Sequence, residues 1–278
     1  MTTDKKLGVI GCGNMGSAIV KRLIAAKIFP ASGIFVYDKN TVKCSALGKK
    51  YSVRVVNSNA MVMRNADIIL LAVKPQQATE VLKDIKKTGG EGKLLISIMA
   101  GFPMEKIQKL SGVKNIVRCM PNTPAQIGYG TTVWLATSGV TIADKKLVAD
   151  ILGSFGIGFE VDDEDIIDMA TAVSGSGPAY VFHFAQELTE AAVNLGLEPN
   201  LAENLVKNTL IGAVQLLDTS QQSATELKAA VTSKGGTTEA ALTILRSKNT
   251  EKIWEEAIKT AYKRAKTLSK NIGQNNKN

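Results

Sequence analysis

The chain has 278 residues, 45% of them hydrophobic, and carries 34 Lys and Arg against 25 Asp and Glu for a net charge of +9. That length favours two modest domains, and no apolar run approaches the ~20 residues of a membrane span. One histidine (His183) and three cysteines distant in sequence (Cys12, Cys44, Cys119) exclude a His-rich metal site and argue against a disulfide framework or a Ser-His-Asp engine. No metal is expected, and the cysteines read as small buried hydrophobes of a reducing compartment. The basic residues are scattered, with pairs such as Lys49-Lys50 and Lys86-Lys87, and few aromatics accompany them. They read as a solvated surface facing an anionic cofactor, not as a nucleic-acid interface. The apolar run Leu7–Ile10 ends too soon for a signal-peptide core, so the expected place is the cytoplasm.

Along the first half, short β-rich runs alternate with helical patterns. Lys6–Ile10 reads as a strand and Asn14–Ala26 as a helix, and the turn between them is Gly11-Cys12-Gly13-Asn14-Met15-Gly16. In such a GxGxxG turn the first glycine permits the tight bend and the second lets backbone approach a pyrophosphate. The third lets helix and strand pack closely, and the helix start faces the phosphate charge. The next strand, Ile34–Tyr37, ends at Asp38, about twenty residues on, where a carboxylate accepts hydrogen bonds from an adenosine ribose and favours NADH. Lys39 follows directly and suits a 2′-phosphate, which favours NADPH, so the preference stays open.

Strands follow at Val53–Val56, Ile68–Val73 and Leu94–Ile98, each apolar enough to lie inside a sheet, with a helix at Gln76–Lys87. Asn59, near a helix start, is either an N-cap or a ribose contact. Ala72-Val73-Lys74-Pro75 ends one strand and opens a helix, with Pro75 near its first position and Lys74 directed towards cofactor. Met99-Ala100-Gly101 closes the next strand with a backbone suited to lie against a nicotinamide. Further strands are read at Asn115–Cys119, Thr132–Ala136 and Gly158–Val161. The alternation implies βαβ units with right-handed crossovers, an α/β Rossmann-like domain over residues 1–161.

Residues 162–278 read as an all-α domain, with helices at Ala179–Leu195, Leu201–Leu217, Ala224–Val231, Glu239–Leu245 and Glu251–Ser269 and a frayed polar tail at Gln274–Asn278. Several of these helices are apolar on more than one face, and about 110 residues do not bury such helices alone, so a partner subunit is expected. Two turns rich in glycine and hydroxyls, Val173–Tyr180 and Val231–Glu239, each lead into a helix. Either is a cap or, together, they are a seat for a small carboxylate. His183, between Phe182 and Phe184, reads as a packing residue.

The Gly11 loop, Ala72–Pro75, Arg118-Cys119-Met120-Pro121-Asn122-Thr123-Pro124, Ser174–Tyr180 and Ser233–Thr238 together resemble the pyrroline-5-carboxylate reductases over nearly the whole chain. The resemblance implies reduction of Δ1-pyrroline-5-carboxylate to L-proline with NADPH or NADH. It also implies a helical domain that interlocks with its twin in a homodimer, and dimers that in many members assemble into decamers. By the same resemblance, Gly11–Gly16, Asn59, Ala72–Pro75 and Met99–Gly101 take cofactor roles. Glu164, Ser174, Ser233, Gly236, Thr237 and Thr238 fall where the family holds its substrate. Lys234 stands where many members have proline, and Ala230 where some have asparagine. Thr238 is the candidate hydrogen-bond donor to the ring nitrogen. The rival readings are a β-hydroxyacid dehydrogenase, which needs a lysine in the helical domain, and a non-catalytic nucleotide-binding redox sensor.

Overall fold

The structure is a computed structural model and describes residues 3–271, so the tail at Gln274–Asn278 lies outside the described residues. The chain forms two compact units, one running to Ser176 and resuming at Ala261, the other spanning Gly177–Thr260. The first runs past residue 161, the end expected for it. Side chains of residues 164–168 bond to Arg118 and to Tyr262, Lys266 and Ser269, and so fasten this stretch to a strand and to the chain end.

In chain order the first unit contains β1 (Leu7–Ile10), α1 (Asn14–Ala25), β2 (Ile34–Tyr37), α2 (Thr41–Tyr51), β3 (Arg54–Val55), α3 (Asn59–Asn65) and β4 (Ile68–Leu71). It continues with α4 (Pro75–Thr88), β5 (Leu94–Ser97), α5 (Met104–Ser111), β6 (Asn115–Met120), β7 (Gly130–Ala136), α6 (Ile142–Gly153), β8 (Gly156–Glu160) and α7 (Glu164–Ala170). The strands make one sheet in the order β3-β2-β1-β4-β5-β6-β7-β8. Strand order reverses between β1 and β4, and in open α/β sheets ligands bind outside the strand ends at such a point.

Successive strand residues face opposite sides, so alternation sorts the core. Leu7, Val9, Ile68, Leu70, Leu94 and Ile96 pack with α1, α2 and α6 residues such as Leu23, Leu47 and Val148. Ile69, Leu71, Leu95 and Ile116 pack on the other side with Val62, Leu82 and Ile107 of α3, α4 and α5. Burying each such side chain contributes roughly 1.5–3 kcal/mol.

One sequence expectation is corrected. The strand read at Val53–Val56 is only Arg54–Val55, exposed at the sheet edge. Within the sheet, β6 and β7 pair antiparallel. Only a 3₁₀ turn at Thr123–Ile127 joins them, and a parallel partner needs a crossover of a dozen residues or more.

The second unit holds α8 (Gly177–Asn194), α9 (Pro199–Thr219), α10 (Ala224–Ala230), α11 (Thr237–Ser247) and the start of α12 (Thr250–Asn271), whose later residues belong to the first unit. α8 packs on α9, yet Val181, Phe182, Phe184, Leu201, Val214 and Leu217 remain exposed, and α8 buries no residue. His183 is 68% exposed and faces Glu187 one turn on, among the side chains of α8 that a single chain leaves uncovered.

Candidate active site

The turn after β1 is held by its neighbours on both sides. Gly11 N–H donates to the Tyr37 carbonyl and Ala72 N–H to that of Ile10, both at 2.8 Å. Gly11 has φ +106, and a Cβ there would lie 2.6 Å from the Ala72 carbonyl carbon. A Cβ on Gly16 would lie 2.1 Å from the Gly11 oxygen, so strand end and helix are in contact. Gly13 differs, because a Cβ there would meet nothing within 4 Å. It is the N-cap of α1, with no side-chain cap and no acidic residue in the first turn. Backbone N–H groups at a helix start with open space in front and no side-chain cap suit an anion.

A crevice beside this turn is lined by Gly11, Asp38, Lys39, Asn59, Val73 and Gln77, among others. Asp38 already serves the backbone, taking Cys12 N–H on Oδ2 at 2.7 Å and Asn40 N–H on Oδ1 at 2.8 Å. Lys39 lies 2.6 Å from Glu80, whose carboxylate raises its pKa above the usual lysine value. The two residues that argued opposite cofactor preferences are therefore both paired within the chain. Asn59 is not an N-cap: Ser58 caps α3, accepting Met61 N–H at 3.2 Å. Asn59 is 7% exposed and donates to Asp84 at 3.2 Å, while its Oδ1 is buried without a hydrogen-bond partner. Lys74 is exposed at the N-cap of α4, and Pro75 is the first residue of that helix. The Met99 side chain is in the core, so only its backbone is available to a ligand. Gly101, with φ +65, packs against Leu268 of α12.

A buried ionic cluster lies elsewhere in the same unit. Arg118 of β6 bonds Glu164 at 2.8 Å and Asp168 at 2.5 Å, and Glu164 also accepts Met104 N–H at 2.8 Å. The Glu164 carboxylate is thus engaged twice with its own chain. The segment after α7 is a π-helical turn, Thr171–Gly175, not the loose loop of donors expected around Ser174. Ser174 Oγ donates back to the Ala170 carbonyl at 3.0 Å, and the Ser174 carbonyl accepts Asn122 Nδ2 at 3.1 Å. Single π turns inside helices are frequent at functional sites.

In the second unit, the turn between α10 and α11 is exposed over Ser233–Gly235. Gly235 has φ +73 and donates its N–H to Glu239 at 2.7 Å. Gly236 is the N-cap of α11, and no side chain caps that helix. A Cβ on Gly236 would lie 2.5 Å from Ser233 Oγ and 3.1 Å from the Ser233 carbonyl oxygen, so the turn is tight here. Thr237 and Thr238 open the helix and bring two hydroxyls to its first turn.

Comparison with known proteins bears on both units. Residues 164–268 match the model for pyrroline-5-carboxylate reductase dimerisation, and residues 6–101 the model for NADP oxidoreductase, coenzyme F420-dependent. A pyrroline-5-carboxylate reductase of Pseudomonas aeruginosa is 35% identical over 97% of this chain and 98% of its own. The chain belongs to the pyrroline-5-carboxylate reductase family. Among solved structures, a reductase from Coxiella burnetii aligns with a TM-score of 0.90 at 37% identity, covering 96% of this chain and 99% of its own. One from Plasmodium falciparum, solved with NADP bound, aligns at 0.85 and 36%, covering 97% of this chain and 100% of its own.

For a member of this reductase family, the first unit offers features that fit a dinucleotide. They are the open face of Gly13, the uncapped start of α1 and the buried, unpaired Asn59 oxygen in the adjacent crevice. The dimerisation match also coincides with the helices whose apolar side chains are left uncovered in a single chain. Among the described residues, no helix is long and apolar enough to cross a membrane. Residue patterns give Arg118 and Asn122 no role of their own. An arginine inside the apolar strand Asn115–Met120 was the available signal, since a charge inside a sheet requires partners.

Proposed function

We propose that this chain reduces Δ1-pyrroline-5-carboxylate to L-proline, using NADPH or NADH, as a cytoplasmic homodimer that binds neither nucleic acid nor membrane. One observation carries the reading: each unit presents a glycine-fronted helix start without a side-chain cap, Gly13 before α1 and Gly236 before α11. The first suits the pyrophosphate of a dinucleotide and the second the carboxylate of a small substrate. Membership of the reductase family supports the same pairing.

The bound cofactor supplies the hydride. On this reading the turn Gly11–Gly16 (through Cys12, Asn14 and Met15) holds the phosphates, and Asp38, Lys39 and Asn59 lie at the adenosine. Ala72, Val73, Lys74 and Pro75, with Met99, Ala100 and Gly101, give backbone to the rest of the dinucleotide. Ser233, Gly236, Thr237 and Thr238 orient the carboxylate and ring, while Ser174 and Glu164 shape the substrate side. The substrate is a cyclic imine basic enough to bind as its iminium, so no histidine acid is needed. Fixing its carboxylate contributes on the order of several kcal/mol of the rate enhancement through orientation. Thr238 accepts the iminium N–H and donates to the ring nitrogen once hydride addition gives that nitrogen a lone pair.

The deciding experiment is loss of reduced-nicotinamide absorbance with pyrroline-5-carboxylate and each cofactor in turn. Thr238→Ala should lower kcat about tenfold, which corresponds to about 1.4 kcal/mol in the transition state, and leave dinucleotide affinity unchanged. No turnover on the imine, with turnover on a 2-oxo or 3-oxo acid, would make the chain a hydroxyacid-type reductase. Cofactor binding with no turnover at all would make it a sensor. The exposed apolar side chains of α8 and α9 support the homodimer. Family resemblance extends this to decamers, which light scattering separates from dimers by mass.

A further inference from the structure

The phosphate-facing turn contains a residue pair that binding a dinucleotide does not require. Cys12, between Gly11 and Gly13, places its Sγ 3.3 Å from the Sγ of Cys44, near the start of α2. Both thiols are free and buried. Asp38 fixes both. Its carboxylate holds Cys12 N–H at 2.7 Å, and its carbonyl lies 3.9 Å from Cys44 Sγ. Closing the sulfurs from 3.3 Å to the ~2.05 Å of a disulfide requires a shift of only about 1.2 Å shared by turn and helix.

We propose that Cys12 and Cys44 are a reversible redox modification site, in which a peroxide oxidises the pair to a disulfide and thereby closes the dinucleotide site. Hydrogen bonding to Cys12 lowers the Cys44 pKa against the opposing effects of burial and the Asp38 charge, and the same contact together with burial raises that of Cys12. The direction of these shifts favours the thiolate on Cys44, and Cys12, which lines the groove beside the pair, is the partner thiol. Its thiolate attacks one peroxide oxygen, the O–O bond breaks, and the departing hydroxide takes a proton to become water. The Cys12 sulfur then attacks the Cys44 sulfenic acid, the S–S bond forms and the S–O bond breaks. The second hydroxide leaves as water with the Cys12 proton. Two thiols lose two hydrogens in all, and one hydrogen peroxide becomes two waters.

A groove lined by Cys12, Gly13, Asn14 and Lys43 opens to solvent beside the pair and admits a small neutral oxidant. Gly11 is packed on the Ala72 backbone, so the turn's share of the displacement falls on Gly13 and the start of α1. Those are the groups offered to the pyrophosphate. A bound dinucleotide in turn holds the turn in its reduced shape. Cys119 is an internal control, buried with its pKa raised by desolvation and outside the pair.

The inference rests on dinucleotide binding at this turn and not on the identity of the substrate, so cofactor affinity is measured directly by fluorescence. The full chain is treated with hydrogen peroxide and mapped as peptides without reduction. We expect the Cys12 and Cys44 peptides to appear joined, two hydrogens lighter. Affinity for NADPH or NADH should fall about tenfold and return with dithiothreitol. Cofactor at ten times its dissociation constant should slow the linkage about tenfold. Cys44→Ser should bind cofactor normally when reduced and show no dithiothreitol-reversible loss. Unlinked peptides, a linked form with full affinity, or a reversible loss that persists in Cys44→Ser each overturn the proposal. If the serine variant does not fold, Cys44→Ala takes its place, and the wild-type peptide map decides independently of either.

Discussion

Arg118 on β6 and Asp168 on α7 meet at 2.5 Å with their side chains 2% and 8% exposed. This buried pair, extended to Glu164, joins the sheet to the helix that leads into the π turn. Its guanidinium Nε has no hydrogen-bond partner, so the pair is not fully compensated for leaving water. Arg118→Ala should therefore do more than delete an attraction, because it strands the Asp168 carboxylate in the interior. The expected loss is about 3–5 kcal/mol, read by denaturant unfolding at fixed protein concentration. Adding Asp168→Asn to Arg118→Ala should recover part of it. A double mutant no more stable than Arg118→Ala would show that packing, not charge, sets the loss.

Two glycines of one turn should respond differently to the same added methyl. A Cβ at Gly13 meets no protein atom within 4 Å, whereas at Gly16 it meets the Gly11 oxygen at 2.1 Å. Gly13→Ala should keep the melting temperature of the parent while its dissociation constant for the dinucleotide rises about tenfold, or about 1.4 kcal/mol. Gly16→Ala should lower both stability and affinity. Equal melting losses in the two variants would contradict this division.

Sequence pattern made most of the sheet and the helical half legible because both depend on local periodicity. Pattern alone places Ile34–Tyr37 residue for residue, and Leu94–Ser97 to within one residue. It does not assign the helices α2, α5 and α6. Thr41–Tyr51 buries only Cys44 and Leu47, and Met104–Ser111 only Ile107 and Ser111, so neither carries a long apolar stripe. Reversal of β7 is illegible for another reason: the expected strands leave residues 120–131 between them, room for a crossover of about a dozen residues, whereas the observed strands leave only 121–129. At the site, glycine spacing pointed to the turn and its crevice. The Cys12–Cys44 contact and the Asn122–Ser174 bond join residues 32 and 52 apart, and nothing local marks either.

Asn122 is 9% exposed and bonds in two directions, donating to the Ser174 carbonyl at 3.1 Å and accepting Thr131 N–H at 2.9 Å. It thereby pins the π turn to β7. Asn122→Ala should cost about 1–3 kcal/mol, since the groups it leaves are partly buried. If Ser174 serves the substrate, KM for pyrroline-5-carboxylate should rise while dinucleotide affinity stays unchanged. A rise in the dinucleotide dissociation constant instead would tie the π turn to the cofactor.

Asp165 anchors the later part of α12 to α7, accepting Tyr262 Oη at 2.6 Å and pairing with Lys266. Hydrogen bonding from Lys266 and then from Tyr262 holds its pKa below the ordinary 3.8. The same contact with Asp165 raises Lys266 above 10.5 and Tyr262 above 10.0. A carboxylate with a depressed folded pKa stabilises fully above its unfolded value, and the effect is lost as pH falls through the folded one. A lysine with a raised folded pKa stabilises fully below its unfolded value and loses the effect as pH rises through the folded one. Asp165→Asn should therefore lower the melting temperature by a constant amount at neutral pH. The gap to wild type should close below pH 3.8 on the acid side and above pH 10.5 on the alkaline side. Melting curves of both proteins across that range test it, and a gap that persists unchanged in acid would mean that the asparagine acts through shape and not through charge.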